Sequence, residues 1–277
     1  MIGKIINNKY EIIREIGRGG FGTVYRGKNI NTQNAVAIKV ERRKKNNEIS
    51  LLRHEYNIMQ YFRSERFCPK VLWYGTINHT PSIVMTLHGH SLENLKCKHK
   101  KLSQKTICIL GKRIVNIIEY IHGKGIIHRD IKSENFLFGN TEKTNKLLYM
   151  VDFGLSKFYK NDNGHIGFKS NKAPCGTMRY ISVNCHNGYE LSRRDDLESV
   201  AYLLLYLFLN KLPWQGTNVC DDNQRNNIIM YNKVKLVEKH NDIMPNFLKR
   251  FLLYSKKLGF EETPNYNYLY NLFTYDK

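Results

Sequence analysis

Three short runs stand out near the start of the chain, Tyr10 to Ile16, Thr23 to Lys28 and Ala35 to Val40. Each run is rich in Ile, Val and Tyr and is bounded by Gly or Asn, the pattern of short strands joined by turns. The spacing predicts an antiparallel meander over residues 10 to 40. Ile49, Leu52, Tyr56 and Met59, with Ile58 and Phe62 beside them, then recur at helical intervals and predict an amphipathic helix over about 46 to 62. Val71 to Ile77 and Ser82 to Leu87 return to strand character, and from Ser91 onward the pattern is mainly helical, with loops predicted at 123 to 145 and 152 to 190. The longest apolar run, Val200 to Leu209, is broken by tyrosines. It is about half the roughly 20 residues a membrane span requires, so it reads as a buried helix. No repeat or low-complexity linker interrupts the chain. The pattern therefore predicts an α+β chain: a small antiparallel-sheet part with one helix over about 1 to 86, a connection at about 86 to 90, and a larger, mainly helical part over about 91 to 277.

At 277 residues and 42% hydrophobic content the chain is long enough to bury a full core. The N-terminal stretch MIGKIINNKYEIIREIG has neither the apolar core nor the small-residue cleavage site of a secretory signal, and the expected location is cytoplasm, nucleus or both. Cys68, Cys97, Cys108, Cys175, Cys185 and Cys220 form no CxxC pair, which fits reduced thiols rather than a disulfide framework or a zinc site. The 44 Lys and Arg exceed the 24 Asp and Glu, giving a net charge of +20. Such a field draws acidic peptides, phosphorylated chains or polyanions. The sharpest basic cluster, Arg42-Arg43-Lys44-Lys45, is better read as a solvated loop than as an import signal. No dedicated nucleic-acid module is visible, and no membrane partner is expected.

Candidate chemistry lies in four strings. Gly17-Arg-Gly19-Gly20-Phe-Gly22-Thr-Val24 places glycines where a strand-turn-strand backbone can close over phosphates that a Cβ would keep away. Val36-Ala37-Ile38-Lys39 ends an apolar strand in a lysine suited to neutralise those phosphates. Such a lysine requires a carboxylate to hold it; Glu55 stands beside the apolar face of the following helix and is the better candidate, Glu48 the poorer. His128-Arg129-Asp130-Ile131-Lys132-Ser133-Glu134-Asn135 fits HRD-x-K-x-x-N, with Asp130 to accept a hydroxyl proton, Lys132 to meet developing charge on the γ-phosphate and Asn135 to bind magnesium. Asp152-Phe153-Gly154 closes an apolar segment and supplies the second magnesium ligand. Together the strings point to phosphoryl transfer from ATP with Mg2+, on a protein-kinase plan.

The stretch from Gly176 to Gly216 resembles the casein kinase I group of protein Ser/Thr kinases. GTMRYISVNCHNG, with Ser182-Val183-Asn184 in place of Ala-Pro-Glu, and SRRDDLESVAYLLLYLFLNKLPWQG carry the likeness. HRDIKSENFLFG and the segment Pro264 to Phe273 extend it along the chain. The resemblance implies that Met85 is the gatekeeper, that Thr86 and His88 offer backbone groups to adenine, and that Ile16, Val24 and Ala37 join the glycines around the nucleotide. It implies that Asp196 binds the backbone of the catalytic loop rather than Arg193 or Arg194, and that Thr177 hydrogen-bonds near Asp130 and Lys132. It implies a constitutively active monomer whose acceptors are acidic or already phosphorylated, with Arg179, the Gly216 backbone and Arg225 as one anion site and Arg129 with Lys172 holding a second anion. Departures are Ser133 for the family's proline, Thr86 for its hinge acid, and residues 155 to 175 and 217 to 230. The alternative is a pseudokinase that binds nucleotide or a partner without turnover, which a missing lysine or aspartate would normally reveal; Lys39, Glu55, Asp130, Asn135 and Asp152 are all present.

Overall fold

The computed structural model describes the chain except for residues 21, 43–49, 63–66, 100, 217–220 and 275–277. In chain order its strands and helices are β1 (Ile5–Ile6), β2 (Tyr10–Gly19), β3 (Gly22–Asn29), β4 (Ala35–Glu41), α1 (Leu51–Tyr61), β5 (Val71–Ile77) and β6 (Thr80–Thr86). Next come α2 (Leu92–Lys98), α3 (Gln104–Gly123), β7 (Ile126–Ile127), β8 (Phe136–Phe138), β9 (Leu148–Met150), β10 (Lys157–Phe158), β11 (Lys160–Asn161) and β12 (Gly164–His165). The remaining elements are α4 (Val183–His186), α5 (Arg193–Leu209), α6 (Asp222–Val234), α7 (Leu236–Lys239), α8 (Asn246–Lys257) and α9 (Tyr266–Asn271). These divide into two compact units. The first is Met1–Ser91 with Phe136–Gly154, and the second is Leu92–Asn135 with Leu155–Lys277.

In the first unit β1 to β6 form an antiparallel sheet of order β1-β2-β3-β4-β6-β5. Alternation sorts β4 by face. Val36, Ile38 and Val40 join Ile12, Ile77 and Val84 in one apolar cluster, which leaves Ala37, Lys39 and Glu41 to the other face. Glu41 anchors α1 there: Ser50 Oγ donates to Glu41 Oε2 at 2.7 Å and the Leu52 amide donates to Oε1 at 3.3 Å. Ser50 also caps the helix by accepting from the Arg53 amide at 3.1 Å. The described helix thus begins at Leu51, later than the predicted 46, because a capping serine fixes the start; Glu48 and Ile49 lie outside the described residues, as do Arg43 to Lys45. Leu52, Glu55, Ile58 and Met59 form its buried stripe. The β8–β9 hairpin belongs to this unit although it follows the second unit's first helices in sequence. The Gly89 amide donates to the Phe138 carbonyl at 2.7 Å, Phe138 to His90 at 2.9 Å, and Met150 to Phe67 at 2.7 Å.

The second unit is built on α5. Its residues from Leu197 through Leu207 are buried, which explains why no amphipathic stripe is legible in that apolar run. Helices α3 and α8 cover it. A Cβ on Gly111 of α3 would lie 2.4 Å from the Phe273 ring, so the glycine is what lets the end of the described chain pack on α3. Among the described residues no helix is long and apolar enough to cross a membrane.

Candidate functional site

In the first unit, Lys39 Nζ lies 2.6 Å from Glu55 Oε2 and 2.8 Å from Asp152 Oδ1. The strand register puts Lys39 on the face toward α1, and the Ser50–Glu41 anchor places Glu55 one turn into the helix. Burial works against the lysine's charge, but the carboxylates of Glu55 and Asp152 outweigh it and raise its pKa above the usual range. Lys39 is a fixed cation. Asp152 holds a positive φ of +67°, a left-handed conformation that non-glycine residues seldom adopt. Phe153 follows it into the core, fully buried and 5.4 Å from the Phe62 ring centroid.

The residues expected around the nucleotide lie on the same sheet. Val24 pairs across from Lys39, and Ala37 across from the buried Met85, while Ile16 is partly exposed near the end of β2. The Thr86 amide donates to the Lys70 carbonyl at 3.0 Å, and its hydroxyl accepts from the Lys70 amide at 3.1 Å. The His88 imidazole stacks on Tyr149 with centroids 4.0 Å apart, and burial pushes its pKa down to about 4, so the ring is neutral at pH 7.

In the second unit the catalytic-loop string is held by buried polar contacts. Asp196, near the start of α5, accepts from the His128 amide at 2.6 Å and the Arg129 amide at 2.9 Å, and its Oδ2 meets His122 Nε2 at 3.0 Å. Burial opposes its charge, yet the bonds from His122 and His128 hold its carboxyl below the usual range. The backbone of the loop, not Arg193 or Arg194, is what Asp196 engages. Arg129 takes a φ of +66° and donates from Nε to the Leu155 carbonyl at 2.6 Å. Asp130 is buried, with Oδ1 accepting from the Thr177 amide at 2.9 Å and the Thr177 hydroxyl at 2.8 Å. Its Oδ2 meets Lys132 Nζ at 2.5 Å. Asn135 Nδ2 donates to the Asp130 carbonyl at 2.9 Å, which turns its amide oxygen to the opposite side as the end suited to a cation.

A protein kinase domain family model matches residues 10–262. This chain belongs to the protein kinase family. Its mixed α/β fold is that of a kinase domain, with an antiparallel-sheet N-lobe and a helical C-lobe.

The glycines of the kinase divide into two kinds. A Cβ at Gly22 would lie 2.3 Å from the Val40 carbonyl oxygen, so that glycine is required by strand packing. At Gly17, Gly19 and Gly20 a Cβ would meet nothing within 4 Å; no contact within the protein demands glycine there, and the open face fits the close approach of a phosphate chain. Gly22→Ala should therefore lower the melting temperature by several degrees. Gly19→Ala with Gly20→Ala should leave it unchanged and raise the KM for ATP, as thermal melts and initial-rate kinetics will show. Among the described residues no cluster of three or more His, Cys, Asp or Glu is arranged to hold a metal. The Asp152 carboxylate in the first unit and the Asn135 amide oxygen in the second are each an oxygen donor of the kind magnesium takes.

The residues expected to hold anions sit as follows. Arg129, Lys157, Lys172, Cys175 and Glu190 line one cavity of about 110 Å³. Glu190 is engaged there by Lys157 at 2.8 Å and Lys172 at 3.8 Å, so an acid already occupies part of the positive field. The Arg179 guanidinium lies over the Tyr206 ring, 5.0 Å from its centroid, and its backbone carbonyl accepts from Trp214 Nε1 at 3.0 Å. Gly216 has a φ of +84°, and Arg225 on α6 pairs with Asp222 at 3.0 Å. Sequence reading missed His122, Tyr266 and Glu93. Tyr266 Oη lies 2.6 Å from His122 Nδ1, and Ser133 Oγ donates to Glu93 at 2.6 Å while Tyr206 Oη donates to the other Glu93 oxygen at 2.9 Å. Ser133 thereby ties the segment that carries Asp130 to α2. No motif announces such pairs, because the partners are far apart in the chain.

Proposed function

We propose that this kinase is a Ser/Thr-specific enzyme of casein kinase I type, transferring the γ-phosphate of ATP to acidic or phosphate-primed protein acceptors. The observation that carries the reading is the state of Asp130: a buried carboxylate fixed through Oδ1 by both donors of Thr177 and neutralised at Oδ2 by Lys132. Those contacts fix the carboxylate in place, and the remaining lone pair of Oδ2 is the one that can receive a hydroxyl proton.

In this reading Lys39, held by Glu55, meets the ATP phosphates. Asp152 and the Asn135 amide oxygen would each offer an oxygen to magnesium, which when bound would neutralise charge on the transferring phosphoryl group. Asp130 orients the acceptor hydroxyl and takes its proton, and Lys132 faces the charge that develops as the phosphoryl group moves. Thr86 and His88 offer backbone groups to adenine, with Met85 behind them. Because the Thr86 amide is spent on Lys70, its carbonyl is the group open to this role. The +20 net charge, Arg179 and the Arg129–Lys172 cavity support acidic or primed acceptors, since guanidinium groups bind phosphate bidentately.

The test compares a primed peptide with its unphosphorylated twin on wild type and on Arg179→Ala with Arg225→Ala. Site-directed priming gives a primed advantage that shrinks markedly in the double variant while the unprimed rate changes little. Equal losses on both peptides would assign these arginines a structural role, and a primed advantage that only fades with salt in every variant would assign it to the overall field.

A further inference from the structure

Lys233, near the C-terminal end of α6, is 0% exposed. Among the described residues no carboxylate lies within ion-pair distance of it. Its Nζ instead faces three acceptors: the Ile181 carbonyl at 2.6 Å, the Met178 carbonyl at 2.9 Å and His186 Nε2 at 3.0 Å. The count matches the three protons of an ammonium. His186 is kept neutral by burial and by Lys233 itself, with its pKa pushed down to about 4, and its Nδ1 meets Asn226 Oδ1 at 2.5 Å, so Nε2 carries the lone pair. The rings of Tyr202 and Trp214 stand 5.1 and 5.4 Å from Nζ and add cation–π attraction.

The two carbonyls belong to the turn that follows Thr177. In that turn the Tyr180 and Ile181 amides both donate to the Thr177 carbonyl, at 2.8 and 3.1 Å, and Trp214 takes the Arg179 carbonyl. Thr177 is the residue that holds Asp130 Oδ1. Met178 and Arg179, next in the chain to Thr177, are half-buried, whereas Tyr180 and Ile181 are buried, so an acceptor whose hydroxyl reaches Asp130 would meet the turn at Met178 and Arg179.

We propose that Lys233 is a positioning residue for the protein acceptor: its ammonium pins the Met178–Ile181 turn and so sets the surface on which the acceptor segment lies beside Asp130. This rests on reading Asp130 as the base. A buried cation without an ion pair is a costly way to hold a turn, and its cost makes the hold sensitive to pH. Burial is the largest influence and lowers the Lys233 pKa to about 7, with Glu198 on α5 and Cys185 on α4 opposing and Lys256 on α8 assisting. Glu198 is itself spent on the Val183 amide at 3.0 Å and Tyr202 Oη at 2.5 Å, and Lys256 Nζ donates to the Lys233 carbonyl at 2.7 Å. Above that pKa the amine keeps two protons for three acceptors, and the turn loses a tie. Global stability moves the other way. An unfolded lysine near the usual 10.5 binds a proton that the folded one has released, so the Lys233 contribution to folding stability rises as pH climbs from about 7 toward 10.5.

The experiment measures KM for an acceptor peptide and for ATP in wild type and in Lys233→Met, from about pH 6 to pH 8.5, together with hydrogen exchange of the 178–186 amides corrected for intrinsic exchange. Removing a charged donor to buried carbonyls should raise the peptide KM about tenfold or more and shift the ATP KM less than about twofold. In wild type the peptide KM should climb through neutrality as melting temperature holds or rises, and the slope should vanish in Lys233→Met. If the two KM values shift together, or if the pH slopes of the two proteins are the same, the lysine is structural and the proposal fails. Should Lys233→Met not fold, the wild-type exchange rates decide: protection of 178–186 that does not fall above neutrality overturns the idea. Should wild type transfer no phosphate to any peptide, the functional reading fails, while the exchange measurement still reads the tie on its own.

Discussion

Asp130→Asn is expected to keep the fold and ATP affinity of wild type and to lose about 10²–10⁴-fold in kcat. The substitution conserves volume at a buried position. Asn can still accept both Thr177 bonds through its oxygen, so the segment after Gly176 stays in place. What it cannot do is accept a proton, or offer a carboxylate to Lys132, which stands 2.5 Å from Oδ2. Calorimetric ATP titration and thermal melting should match wild type while transfer to peptide collapses. Near-normal turnover in the variant would reject Asp130 as the base. A collapse of both turnover and melting temperature would show that the carboxylate serves the fold instead.

Lys39→Met should produce the largest stability change among the substitutions considered. It removes the cation between Glu55 and Asp152, whose side chains are 3% and 21% exposed. Breaking a buried pair by deleting one partner typically costs about 3–5 kcal/mol, because the surviving charge stays buried. The variant escapes part of that cost by protonating Glu55, which burial already pushes toward a higher pKa. An acid whose folded pKa is raised above its unfolded value holds an extra proton when folded, so the variant's stability falls as pH rises. Its melting-temperature deficit against wild type should therefore be larger at pH 8 than at pH 5. Adding Glu55→Gln should recover stability without recovering transfer, a non-additivity that reports direct coupling. If Glu55→Gln alone leaves both stability and activity unchanged, Glu55 is not the residue that holds Lys39.

The strands and helices near the start of the chain were readable because each element buries one face, so the period of apolar residues carries the element type. Lys39 and Glu55 are of this kind: one ends an apolar strand, and the other stands beside the apolar stripe of a helix. Two-residue strands such as Ile5–Ile6 and Lys157–Phe158 carry no period, and the same shortness hid the hairpin at β11 and β12. The catalytic string was legible because its spacing is local, Asp130 to Asn135. The residues that hold it are not local. Asp196 reaches His128 across 68 positions, and Lys233 reaches Ile181 across 52. Asp196 was found only through likeness to a known group, and Lys233 was not found at all, since a lysine at the end of a polar helix looks like any solvated one.

Transfer of labelled γ-phosphate by purified wild type to casein and to acidic serine, threonine and tyrosine peptides tests directly whether this kinase moves phosphate from ATP to serine or threonine. Phosphoamino-acid analysis of the products identifies the acceptor. The expected products are magnesium-dependent phosphoserine and phosphothreonine with little phosphotyrosine, and the signal should be lost in Asp130→Asn. Saturable ATP binding with no label on any acceptor above the Asp130→Asn background would contradict the proposed activity and identify the chain as a nucleotide-binding pseudokinase.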